Sequence, residues 1–113
     1  MKPKVIAHRG HSRRYPENTI VAFKKATELG ADGFECDVHF TRDKKIVVHH
    51  YYELGHTDNG EGYIFQKDAP YLRTLDCGSW FAEAFRNEHM PYGLPLSSNL
   101  IQRRRSRSWA SPR

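Results

Sequence analysis

The sequence predicts an α/β fold, and three stretches carry that prediction. Phe34-Glu35-Cys36-Asp37-Val38-His39-Phe40 alternates apolar and polar residues with the period of a strand. Phe34, Cys36, Val38 and Phe40 therefore share one face, and Glu35, Asp37 and His39 share the other. Val5-Ile6-Ala7 is a short apolar run suited to a buried strand. Between them, Pro16-Glu17-Asn18-Thr19 opens a helical stretch that stops at Gly30. Residues 5–40 thus read as one β-loop-α-β unit.

The first strand breaks at His8-Arg9-Gly10-His11. That places His8 and Arg9 at a strand's C-terminal end, where parallel α/β folds assemble their chemistry. An ordinary loop with a surface histidine is the plainer reading of these residues alone. In the helix, Asn18 or Thr19 can cap the free N–H groups, and Glu17 suits the positive end of the dipole. Ile20, Phe23 and Ala26 or Thr27 form the expected inward stripe, with Lys24, Lys25 and Glu28 outside.

Two carboxylates two residues apart on one strand face raise each other's pKa and call for a compensating cation. A metal ion at Glu35 and Asp37 answers that need; a solvated outer face is the plainer answer. After the strand, residues 41–45 make a turn, and Ile46-Val47-Val48-His49 is a second apolar run ending at His50. So short a connection predicts a hairpin. Mirroring about the turn sets His50 roughly opposite Glu35, with His49 on the other face and His39 either behind the site residues or at the rim. Residues 51–68, rich in Gly, Asp, Asn and Tyr, read as a loop beside the site. A short helix is expected over residues 79–85, packed through Trp80, Phe81 and Phe85.

At 113 residues the chain is one domain at most. Closing an eight-stranded α/β barrel takes about 250 residues. The net charge of +5 resembles a nucleic-acid signal until it is located. Up to Tyr92 there are 13 Lys/Arg and 13 Asp/Glu, so the excess is Arg103, Arg104, Arg105, Arg107 and Arg113. Residues 1–92 are electrically balanced, and the basicity belongs to the Ser/Arg-rich residues 93–113, which lack acids and periodicity and read as disordered. A nucleic-acid binder working through Arg103–Arg107 has little support, since the balanced part lends it no charge and Trp109 is the tail's lone aromatic. Cys36 and Cys77 are not a disulfide framework. Neither a leader segment nor a membrane span is visible, so a cytoplasmic setting is expected.

The motifs Ala7-His8-Arg9-Gly10, Pro16-Glu17-Asn18-Thr19, Glu35-Cys36-Asp37-Val38, Thr41-Arg42-Asp43 and Val47-Val48-His49-His50 follow one another at spacings that resemble the N-terminal part of the glycerophosphodiester phosphodiesterases. The likeness runs over about residues 4–90. It implies the N-terminal part of a TIM (β/α)8 barrel of the phospholipase C-like phosphodiesterase type. It also implies hydrolysis of a small-molecule glycerophosphodiester to sn-glycerol 3-phosphate and an alcohol. On that resemblance His8 and His50 match the catalytic pair, Arg9 a phosphate-contacting residue, and Glu35 and Asp37 two metal ligands. The chemistry of these residue types agrees. Histidine can take or give a proton near neutrality, and hard carboxylate oxygens favour Mg²⁺ or Ca²⁺.

Two positions depart from the family pattern: Tyr51 stands where an Asp usually follows the second histidine, and His56 where an Arg is common in the next loop. The later strands of the family, with a third acidic ligand and a nearby Lys, have no counterpart here. The chain accordingly reads as a truncated or frame-shifted product with low or no activity, out of family register from about Tyr92. Another phospholipase C- or D-like phosphodiesterase is the alternative enzyme reading.

Overall fold

The computed structural model describes residues 4–92 and 100–104. Strand β1 (Ile6–His8) leads by a loop into helix α1 (Ile20–Glu28), and the chain returns as the eight-residue strand β2 (Gly33–Phe40). β1 and β2 pair in parallel, Ile6 against Gly33 and His8 against Glu35. This is the expected β-loop-α-β unit.

Local chemistry sets the limits of α1. Thr19 is the N-cap, with extended backbone, and its hydroxyl accepts the Ala22 N–H at 3.4 Å and donates to the Pro16 carbonyl at 2.7 Å. At the other end Gly30 takes a φ of +91°, and its N–H bonds the Thr27 carbonyl. The inward residues are Ala22, Phe23 and Ala26. Ile20, expected in that stripe, is 43% exposed. At 3.6 residues per turn it lies roughly 110° from the stripe's centre, beyond its edge.

The predicted hairpin is present. Strand β3 (Ile46–Val48) runs antiparallel to β2, Val38 against Val48 and Phe40 against Ile46. A further strand, β4 (Leu100–Arg104), pairs in parallel with β2, Phe34 against Leu100 through Val38 against Arg104. The stretch 93–113, expected to lack regular structure, thus contributes a strand; its other residues lie outside those described. A strand edge offers a row of N–H and C=O groups that a five-residue stretch of extended chain can satisfy whatever its side chains.

Both faces of the sheet are covered. Phe34, Cys36, Val38 and Val48 pack against Phe23 of α1, with the Phe23 and Phe34 rings stacked at 4.5 Å. Val47 belongs instead to a second cluster with Leu54, Ile64, Leu72, Leu75 and Met90. The loop region is therefore more ordered than a plain connection. It includes a 3₁₀ turn (Ile64–Gln66) and a one-turn helix, α2 (Ala69–Leu72), with Pro70 in its first turn. The helix expected over 79–85 reduces to turns and a 3₁₀ segment (Glu83–Phe85). Asp76 explains the change: its carboxylate accepts the Gly78 and Ser79 N–H groups, both at 2.9 Å, and so bends the chain there. Cys36 and Cys77 are buried and free. Among the described residues no helix is long and apolar enough to cross a membrane.

Candidate active site

The site is built where β1 and β2 run side by side. His8 closes β1 opposite Glu35, and its Nε2 lies 3.0 Å from Glu35 Oε1. The His8 side chain is largely open to solvent, that of Glu35 mostly covered. Arg9 follows in a left-handed backbone conformation, φ +60°, unusual for a residue with a side chain. Two backbone hydrogen bonds hold it there: the Arg9 N–H to the Glu35 carbonyl at 2.8 Å, and the Asn18 N–H to the Arg9 carbonyl at 3.0 Å. The strain is carried by a residue whose side chain enters the site, as strained backbone commonly is.

The Arg9 guanidinium lies between two carboxylates. Nη1 is 3.1 Å from each oxygen of Glu17, and Nε is 3.6 Å from Asp37 Oδ2. Asn18 donates from Nδ2 to the same Asp37 oxygen at 3.2 Å. The Asp37 side chain is 1% exposed, so its charge depends on these partners. Glu35 and Asp37 thus share one face of β2, as the alternation predicts. His8 and Arg9 reach them from the end of β1.

His50 arrives by a different route. β3 ends at Val48, and the His49 N–H bonds the Asp37 carbonyl at 2.9 Å. Continued by one residue, the register sets His50 beside Cys36, one position from the expected place opposite Glu35. The His50 carbonyl accepts a hydrogen bond from His39 Nε2 at 3.1 Å. Its ring meets Tyr51 edge-on at 4.7 Å, and Tyr51 stacks on His56 at 4.4 Å. The two positions that depart from the family pattern therefore touch each other. His49 turns away and is buried, its Nε2 2.9 Å from Asp58 Oδ2.

By sequence, Glu17 and Asn18 read as helix-start residues. The structure gives the cap to Thr19 and turns Glu17 to Arg9 and Asn18 to Asp37. Asn18 is 2% exposed with φ +57°, which a surface cap would not need. His39, expected behind the site residues or at the rim, is 2% exposed and takes the first of those places, against the His50 carbonyl. Burial lowers its pKa to about 4, against the opposing effect of its bond to the His50 carbonyl.

A divalent cation would find hard oxygen donors here. Glu35 and Asp37 present two carboxylates on one face, and the buried Asn18 Oδ1 beside them has no hydrogen-bond partner among the described residues. The described residues contain no cluster of three or more His, Cys, Asp or Glu side chains able to hold a metal. The chemistry of these oxygen donors suits a divalent cation, of which they would supply part of the shell.

Comparison with known proteins bears on the family and the fold. The chain is 50% identical over 91 residues to a glycerophosphodiester phosphodiesterase of Caldanaerobacter subterraneus, covering 80% of this chain and 37% of the relative. It is 38% identical over 86 residues to a glycerophosphodiester phosphodiesterase of Bacillus subtilis, covering 29% of that protein. A crystal structure of the Agrobacterium tumefaciens enzyme superposes with a TM-score of 0.79 at 36% identity, over 80% of this chain and 39% of that one. An Oleispira antarctica phosphodiesterase, solved with the product sn-glycerol-3-phosphate, gives 0.84 at 30% identity, over 92% and 45%. These neighbours are TIM-barrel enzymes, and the α/β unit described here is a partial form of their fold, in keeping with its N-terminal part. The chain spans little more than a third of the length of the curated relatives it matches most fully. The sequence profile of the glycerophosphoryl diester phosphodiesterase family matches residues 8–109, past the point near Tyr92 where the likeness was expected to end, and the chain belongs to that family.

Proposed function

We propose that this chain carries part of a metal-dependent site that hydrolyses glycerophosphodiesters to sn-glycerol 3-phosphate and an alcohol. The observation that carries the reading is the pairing of His8 with Glu35 and of Arg9 with Asp37 across two adjacent parallel strands. The product bound to the Oleispira neighbour supports the substrate class. Family members generally depend on a divalent metal ion. Two buried free thiols accord with a cytoplasmic setting.

Each residue has a distinct task. Phosphodiester cleavage needs one group to take a proton from the attacking oxygen and another to return one to the leaving oxygen; His8 and His50 fill these roles. Glu35, 3.0 Å from His8 Nε2, orients that imidazole. Arg9 offers N–H donors to phosphoryl oxygens, and its two carboxylate neighbours hold the guanidinium in place beforehand. Glu35 and Asp37 would hold Mg²⁺ or Ca²⁺, which when bound offsets negative charge on the phosphoryl group. With two carboxylates for the cation among the described residues, low turnover is expected from the chain alone.

The test is release of sn-glycerol 3-phosphate from glycerophosphocholine by the purified chain, with Mg²⁺ or Ca²⁺ and after chelation. Slow release is expected, lost on chelation and reduced on the order of 100-fold by His8→Ala or His50→Ala. Release indifferent to both substitutions sinks the proposal, as does calorimetry showing no affinity for sn-glycerol 3-phosphate.

A further inference from the structure

The geometry points to a clamp on the dipeptide His49-His50, in which His39 and Asp58 are positioning residues for His50; its catalytic meaning rests on the role proposed for His50 above. β3 stops at Val48, so the sheet ladder alone does not fix the chain beyond it. Three contacts continue the constraint. The His49 N–H bonds the Asp37 carbonyl at 2.9 Å, and the His50 carbonyl accepts from His39 Nε2 at 3.1 Å. Both ends of the dipeptide are therefore tied to β2, the strand that carries Glu35 and Asp37. A carbonyl only accepts, so His39 Nε2 carries the hydrogen and Nδ1 is bare.

The third contact faces the other way. His49 Nε2 donates to Asp58 Oδ2 at 2.9 Å, with Thr57 Oγ1 at 3.3 Å from the same nitrogen. Asp58 Oδ1 accepts the Gly55 and Gly60 N–H groups, both at 2.8 Å. One carboxylate thus gathers the 55–60 loop and locks it to His49. Both side chains are nearly fully buried, which makes the arrangement costly to half-break. With its backbone tied to β2 and its neighbour tied to the loop, His50 is held at the main chain on both sides, and Tyr51 stands against its ring. The clamp converts a strand end into a defined entry angle for His50, the kind of pre-orientation on which proton transfer depends.

The experiment is NMR on the full chain with ¹⁵N-labelled histidine, which needs no turnover. In the unmodified chain His39 is expected as the Nε2–H tautomer; a bare Nε2 there overturns the inference without any variant. His39→Phe keeps a ring but removes the donor, and Asp58→Ala removes the loop anchor. Each is expected to speed amide exchange across residues 50–58 by about tenfold and to move the His50 ring signals toward those of a free imidazole, with the amides of 34–38 unchanged. His39→Gln, whose amide can reach the same carbonyl, is expected to restore the pattern. Unmoved His50 signals and exchange in both His39→Phe and Asp58→Ala sink the clamp. The catalytic reading is tested apart from it. His39→Phe is expected to lower kcat with KM unchanged; turnover that survives His50→Ala overturns the catalytic role of His50, while the NMR arm still decides the clamp.

Discussion

His39 lies two residues beyond Asp37 on the same face of β2, and burial sets its protonation. Its pKa, lowered to about 4 chiefly by desolvation, is below the unfolded value of about 6.5. The neutral form therefore belongs to the folded state. Between the two values the unfolded chain binds more protons, so stability is complete above the unfolded value and falls as pH drops toward 4. The shift corresponds to about 3 kcal/mol. Asp58 adds to the trend at lower pH. Burial alone would raise its pKa, but hydrogen bonds from His49, Gly60 and Gly55 outweigh that and hold it below the usual carboxylate range. Its contribution is present above the unfolded carboxylate value and lost as pH falls through the folded one. Denaturant unfolding from pH 7 to 4.5 is expected to show stability declining steadily, and His39→Gln is expected to flatten the decline. An equally steep decline in that variant assigns it to other groups.

At the scale of elements, the loop between β1 and α1 sets the site because it leans on the helix. Gly10 makes that approach. Its φ is +80°, and a Cβ there would fall 2.8 Å from the Ala22 backbone carbon and 2.9 Å from its Cβ and oxygen. The next residue, His11, bonds the Ala22 carbonyl at 2.9 Å. Gly10→Ala meets both the backbone strain and rigid helix atoms, and is expected to destabilise by about 2 kcal/mol or more, read as a fall in the denaturant midpoint. Loss of the Arg9–Asp37 contact should accompany it, since Arg9 shares the same left-handed turn. The elements themselves were legible in the sequence for definite reasons. Period-two alternation gave β2 and both of its faces, and the Pro16-to-Gly30 frame gave α1. The turn at 41–45 gave the hairpin. The site was legible as a set of residue types but not as contacts. Glu17 and Asn18 carry ordinary helix-start residues, and only the left-handed turns at Arg9 and Asn18 direct them to Arg9 and Asp37. His49 and Asp58 are nine residues apart in a Gly-rich stretch, a pairing no periodicity announces. β4 escaped because strand edges accept extended backbone with little regard to side chains.

At the scale of the whole molecule, the sheet has an open side. β1 pairs with β2 along one edge, and no described strand pairs with its other edge. The apolar groups around that edge are exposed: Val5 at 61%, Ile6 at 41% and, at the end of α1, Leu29 at 70%. Val5, Ala7, Leu29 and Ala31 line a cavity of about 440 Å³ that reaches His8. An unpaired edge with adjoining apolar surface is a template for another strand. Charges that repel such pairing are sparse on β1, whose residues are Ile6, Ala7 and His8. Self-association that grows with protein concentration is therefore expected, measured by light scattering coupled to size exclusion. Ile6→Lys places a charge on the edge at a position already 41% exposed, so the core should bear little cost. That variant is expected to shift the population to monomer with its unfolding midpoint nearly unchanged. Association persisting in Ile6→Lys and in Leu29→Glu would place the contact elsewhere. Since His8 borders the same cavity, the variant reports on function too. If copies meet along β1, monomeric Ile6→Lys should release sn-glycerol 3-phosphate no more slowly than the unmodified chain, because separating the copies uncovers His8 rather than removing any group from the site.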